Sequence, residues 1–152
     1  MKIAIGSDHA GFPYKKPIIE QLQKRNIETI DKGCYSDTPT DYPVYAIKVA
    51  QAVRSKEADL GILICGTGIG MSIAANKVKG IRAGACQSEF AARAMREHNH
   101  ANVLCLGSRT NTLEEVKRFV DVYLDSGVSQ AERHLERLAI ISKFEEDDEW
   151  EK

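Results

Sequence analysis

Apolar residues recur along this chain in two alternating rhythms: short runs rich in β-branched side chains, and longer stretches in which they return every three or four positions. KIAIG (2–6), IETID (27–31), LGILI (60–64), GIRAGAC (80–86) and NVLCLG (102–107) read as strands. Residues 14–25, 43–56, the stretch after Gly70, 88–97 and 112–125 read as helices between and after them. The first helix has Ile18, Ile19 and Leu22 on one side, with Pro17 in its first turn, where a missing N–H costs little. The second offers Val44, Ile47, Ala50 and Val53 as an inward side, and Pro43 suits its start. CYSDTPTDYP (34–43) is the one clearly turn-rich loop.

The runs at 60–64 and 102–106 are almost wholly apolar and do not alternate, the pattern of strands covered on both faces. Five strands interleaved with helices predict an α/β domain around a parallel sheet. Small ligands bind such sheets beyond the carboxyl ends of the strands, here loops 7–11, 32–42, 65–70, 86–88 and 107–111. A last helix, 129–144, carries Leu135, Leu138, Ile140 and Ile141 after the sheet is already complete, so it covers either another subunit or its own sheet. Residues 1–144 are expected to form one domain, and EEDDEWEK (145–152) a frayed acidic tail.

Composition narrows the function classes. The chain has 152 residues, enough for one sizeable core, and its 21 basic and 22 acidic residues leave no general attraction for nucleic acid, so any anion site must be local. No stretch approaches the ~18–20 apolar residues of a membrane span, and MKIAIGSDHAG turns polar too early for a signal peptide; a cytoplasmic location is expected. Cys34, Cys65, Cys86 and Cys105 lie far apart and read as free thiols. The histidines, His9, His98, His100 and His134, do not fall into zinc-ligand spacing with them.

The chemistry gathers at strand ends. In CGTGIG, Gly66, Gly68 and Gly70 free the backbone for a tight turn into a helix whose first N–H groups can face an anion. Cys65 beside those donors is either a base or nucleophile, or a buried thiol before a sharp turn. Thr67, between two glycines, has a hydroxyl able to donate to a substrate oxygen. Asp8 and His9, in GSDHAG, can hold hydroxyls, bind an anion or pass a proton; they can equally cap a helix. His98, Asn99 and His100 crowd one junction, and His98, closing a helix, is the better functional candidate. Arg133 and Arg137 share a helix face suited to a phosphate or to solvent, with Arg109 just past the last strand; His134 between them has no firm role. Tyr42 can offer its hydroxyl to a sugar or its ring to the core, and Tyr14, Met71, Phe90, Met95 and Phe119 read as core. Asp31 weakly resembles a ribose-binding acid, but the glycine fingerprint of a dinucleotide oxidoreductase is missing.

Taken together, IAIGSDHAGF (3–12), DKGCYSDTPTDYP (31–43), GILICGTGIGMSIAANKVKGIRA (61–83), REHNHANVLCLGSR (96–109) and ERHLER (132–137) resemble the ribose-5-phosphate isomerase type B family, which includes galactose-6-phosphate isomerase subunits. The resemblance implies a Rossmann-like three-layer sandwich with a five-stranded parallel sheet and an extra C-terminal helix. It also implies a homodimer, sometimes paired into a tetramer, and no metal or organic cofactor. The family's chemistry interconverts a phosphorylated aldose and ketose. By position, Cys65 is similar to the general base, Thr67 to the group assisting proton transfer, and Gly66, Gly68, Ile69 and Gly70 to the loop whose amides hold the enediolate oxygen. Asp8 and Tyr42 resemble the sugar-binding pair. His98 resembles the ring-opening acid, reaching the pocket from a partner subunit with Asn99. His9, Arg109, Arg133 and Arg137 resemble the phosphate set. D-Ribose 5-phosphate is the expected substrate; a six-carbon aldose phosphate, such as allose 6-phosphate or galactose 6-phosphate, and a non-catalytic sugar-phosphate-binding role are the alternatives.

Overall fold

The computed structural model describes residues 1–148. In chain order the elements are β1 (Lys2–Ser7), α1 (Phe12–Lys24), β2 (Glu28–Asp31), α2 (Tyr42–Arg54), β3 (Leu60–Cys65), α3 (Ile69–Ala75), β4 (Ala83–Ala85), α4 (Glu89–Glu97), β5 (Val103–Gly107), α5 (Leu113–Asp125) and α6 (Glu132–Asp147). All strand pairings are parallel, in the order β2-β1-β3-β5-β4.

The alternation of side chains across each strand builds two cores. Ile3, Ile5, Ile62, Ile64, Leu104 and Leu106 meet Ile18 and Leu22 of α1, Ala92 and Met95 of α4, and Val116, Phe119, Val120 and Tyr123 of α5. Ala4, Leu63, Cys65, Val103 and Cys105 point the other way, onto Ala46, Val49, Ala50 and Val53 of α2 and Met71 and Ala75 of α3. The result is a three-layer α/β sandwich with an extra C-terminal helix, and the apolar composition of β3 and β5 follows from cover on both faces.

Several expectations change. Pro17 does not lie in the first turn of its helix: α1 begins at Phe12, Pro13 occupies that turn, and Pro17 stands inside the helix. Val44 and Ile47 do not face inward: they are 47% and 39% exposed, and the fully buried Ala46, Val49 and Ala50 take the sheet side of α2. Both sides of that helix are apolar, so periodicity alone picks the wrong stripe; small alanines win because they let the helix lie close to the sheet. Ile69 and Ile73 on α3 are likewise exposed. Phe90 is 76% exposed and is no core residue. The helix expected at 129–144 starts at Glu132 and runs through Asp147. Its start is displaced because Ser129 is tied elsewhere: its N–H donates to the Glu97 carbonyl at 2.9 Å. Of the predicted tail, 145–147 are helical, with Glu145 accepting from the Gly80 N–H at 2.8 Å, and 149–152 lie outside the described residues. Among the described residues no helix is long and apolar enough to cross a membrane.

Candidate active site

Strand order reverses between β1 and β3, since β2 lies on one side of β1 and the later strands on the other. A crevice for small ligands opens at such a point, beyond the carboxyl ends of the two strands. The loops leaving β1 and β3 bring Asp8, His9 and Cys65 there. They are laced together: the Asp8 N–H donates to the Ile64 carbonyl at 3.2 Å, and Asp8 Oδ1 accepts from the Gly11 N–H at 2.9 Å. Gly11 passes so close to β3 that a β-carbon on it would sit 2.2 Å from the Ile64 oxygen. Asp8 is buried at the carboxyl end of β1, and its carboxylate closes the turn into α1.

Cys65 ends β3 and is 5% exposed. The chain then turns through Gly68 in the left-handed region, φ +77°, and this aims the Gly68 N–H at Cys65 Sγ over 3.0 Å. Thr67 Oγ1, on an exposed residue, accepts from the Ile69 N–H at 3.2 Å. Cys105 lies nearby on β5; burial chiefly, and the neighbouring Cys65 secondarily, push its thiol far up, so it stays an inert S–H. The β5 loop closes the other wall: Ser108 and Arg109 donate their N–H groups to the carbonyls of Cys65 (2.9 Å) and Gly66 (2.8 Å), and the Arg109 side chain lies over Gly66. The Tyr42 ring, at the start of α2, lies over Gly70.

His9 is oriented by a group that sequence inspection does not reveal. The Thr40 N–H donates to its Nδ1 at 3.2 Å, which leaves Nε2 to carry the proton of a neutral ring, and Thr40 Oγ1 is in turn bonded to Tyr45 Oη at 2.9 Å. Lys15 is also unforeseen. It is 3% exposed on α1, its ammonium bonded to Asp31 Oδ1 at 2.8 Å and to the Cys34 carbonyl, where it steadies the loop leading to Thr40. Asp31 also accepts from the Gly33 N–H at 2.9 Å, so its carboxylate serves this loop. Among the described residues no three or more His, Cys, Asp or Glu are grouped to hold a metal ion.

The other expected site residues are not in this crevice. His98 and Asn99 follow α4, at the amino ends of the strands. Arg133 and Arg137 are there too, because α6 begins beside His98, its His134 ring 4.5 Å from that of His98, and ends at the Gly80 turn before β4. At about 3.3 Å per residue the six-residue β3 separates the two edges by roughly 16–20 Å, more than a pentose phosphate spans. The expected site residues of one chain therefore fall into two groups at opposite edges of the sheet. Both arginines, His98 and Asn99 are exposed.

The thiol of Cys65, the imidazole of His9 and the glycine loop thus stand at the switch point of a parallel α/β sandwich, where folds of this class bind small ligands. The family described as Ribose/Galactose Isomerase matches residues 3–141. Ribose-5-phosphate isomerase B of Escherichia coli is 49% identical over 145 residues, 95% of this chain and 97% of that one. The structure of Clostridium thermocellum ribose-5-phosphate isomerase B superposes with a TM-score of 0.94 at 48% identity, covering 98% of this chain and all of that one. The Mycoplasma genitalium ribose-5-phosphate isomerase B structure, with bound ribulose-5-phosphate, has a TM-score of 0.91 at 43% identity and covers 96% and 97%. This chain belongs to the ribose/galactose isomerase family of sugar-phosphate isomerases.

Proposed function

We propose that the protein interconverts D-ribose 5-phosphate and D-ribulose 5-phosphate through a cis-enediolate, in the cytoplasm, as a homodimer whose two sites each draw on both subunits. The observation that carries the reading is the sulfur of Cys65 held 3.0 Å from the Gly68 amide at the carboxyl end of β3. Removing a proton beside a carbonyl builds negative charge on oxygen, so a base and backbone donors must converge on adjacent atoms. Cys65 as the thiolate takes the proton from C2 and returns it to C1; the amides of Gly66–Gly70, Ile69 included, hold the enediolate oxygen, and Thr67 assists proton movement between the two oxygens. Asp8 and Tyr42 hold the sugar hydroxyls.

The two-edge distribution supports the dimer. A second copy, turned so that its amino edge meets this crevice, supplies the missing half: His98 of the partner subunit opens the furanose ring, Asn99 of the partner subunit steadies the sugar, and Arg133 and Arg137 of the partner subunit join His9 and Arg109 around the phosphate. Exposed Tyr42 and Ile69 at the crevice mouth give that contact apolar surface. Phosphate held at the far end orients C1 and C2 at the base, so binding energy there lowers the barrier.

Cys65→Ala tests this. Turnover should fall by about 10²–10⁴, the usual worth of a general base, while calorimetric binding of ribose 5-phosphate stays within severalfold. Full turnover in that variant would remove Cys65 from the role. Loss of binding together with activity would point to a collapsed site.

A further inference from the structure

His134 is a buried histidine for which the isomerase chemistry above has no use. It is 7% exposed on α6, Nδ1 2.9 Å from Ser129 Oγ, with its ring against that of His98 at a centroid separation of 4.5 Å and a tilt of 35°. We infer that His134 is the positioning residue for His98, a fixed ring that sets the plane in which His98 offers its nitrogens to the substrate. This rests on the assignment of His98 to ring opening.

His98 caps α4 and is exposed, a setting in which an imidazole has several rotamers. The residues on either side of it, by contrast, are held from several sides. The Ser129 N–H donates to the Glu97 carbonyl at 2.9 Å, the Ser129 carbonyl lies 2.8 Å from His100 Nε2, and Arg82 Nε donates to the Asn99 carbonyl at 2.9 Å. Ser129 thus ties the end of α4 and the ring of His134 into one unit, and the packed face of His134 selects the rotamer of His98. Proton donors act through one geometry, and small displacements cost large factors in rate. Burial chiefly, then the neighbouring basic groups Arg133, His98, Arg137 and His100, lower the His134 imidazole from its ordinary value.

The test compares His134→Leu, His134→Phe and His98→Asn in both directions of the reaction. Ribulose 5-phosphate has no ring to open, so it reports the remaining chemistry. His134→Leu should lower kcat on ribose 5-phosphate by about tenfold with KM within about twofold, and lower kcat on ribulose 5-phosphate by less than about twofold. His134→Phe, which keeps a flat uncharged ring in the same packing and gives up only the bond to Ser129 Oγ, should recover ribose 5-phosphate turnover to within about threefold of wild type. Equal losses in both directions for His134→Leu, or no recovery in His134→Phe, overturn the inference if His98→Asn still shows the asymmetry. Equal losses in His98→Asn overturn the ring-opening assignment and this inference with it. Independently of any variant, imidazole NMR titration of the wild-type protein should find one histidine titrating below the ordinary value of 6.5; no histidine below it would also overturn the inference.

Discussion

Gly68→Ala and Gly80→Ala form a pair that separates backbone strain from collision. Both glycines have positive φ, +77° and +83°. A β-carbon at Gly80 meets nothing within 4 Å, leaving only the left-handed strain of an L-residue, about 1 kcal/mol. At Gly68 the same carbon would lie 3.1 Å from the carbonyl carbon and oxygen of Cys105 and from the carbonyl carbon of Leu106. Those atoms belong to β5, which is paired with β3 on one side and β4 on the other and has little room to retreat. Three contacts inside the usual ~3.5–4.0 Å separation bring the total to about 2–3 kcal/mol. At this chain length each kcal/mol moves the melting temperature by about 2–4 °C. Gly80→Ala should therefore melt about 2–4 °C below wild type with full activity, and Gly68→Ala about 5–10 °C below. In Gly68→Ala the loop must also lift, carrying the amide away from Cys65 Sγ, and kcat should fall about tenfold or more with KM little changed. Calorimetric melts at one protein concentration and steady-state rates read both effects. If Gly68→Ala melts with Gly80→Ala and turns over like wild type, the loop is not pressed on β5 and its amide is not aimed at the sulfur.

Mixing Cys65→Ala and His98→Asn homodimers under exchange should restore about one quarter of wild-type turnover of ribose 5-phosphate, since half the dimers are mixed and each holds one intact site; no recovery, once exchange is demonstrated, would mean that each chain forms its site alone. Lys15→Met strips Asp31 and the Cys34 carbonyl of their buried partner and should cost ~2 kcal/mol, less than a fully enclosed pair because Asp31 is about one-third exposed. Unchanged denaturant stability would refute that. His134, with its folded-state value lowered, binds its proton less readily folded than unfolded. Its contribution is present above the unfolded value near 6.5 and is lost as pH falls through that value toward the lower folded one. Between pH 7.5 and 5.5 the wild type should lose more stability in urea than His134→Phe, and parallel losses would contradict this.

Much of the fold is legible in one dimension. Five apolar runs separated by helical periods give the parallel sheet, because a strand covered on both faces cannot hide its composition. CGTGIG and GSDHAG stand out as candidate chemistry because few structural needs put a thiol or an aspartate–histidine pair beside glycines at a strand end, and both lie at the carboxyl ends of their strands. Where both faces of an element are apolar the pattern loses its meaning: α2 turns its alanines inward and leaves Val44 and Ile47 outside. Lys15 gives no warning, since a lysine on an amphipathic helix ordinarily faces water.

The order of residues alone determined the elements, the sheet type and the list of groups with chemistry to offer, because these depend on local periodicity and side-chain type. Which groups meet depended on the tertiary structure. Strand order brings the ends of β1 and β3 together, while the direction of α4 sends His98 to the far edge of the same sheet, where α6 brings Arg133, Arg137 and the buried ring of His134. Distance along the chain carries no information about which edge of a sheet a residue occupies; the handedness and path of each crossover set that.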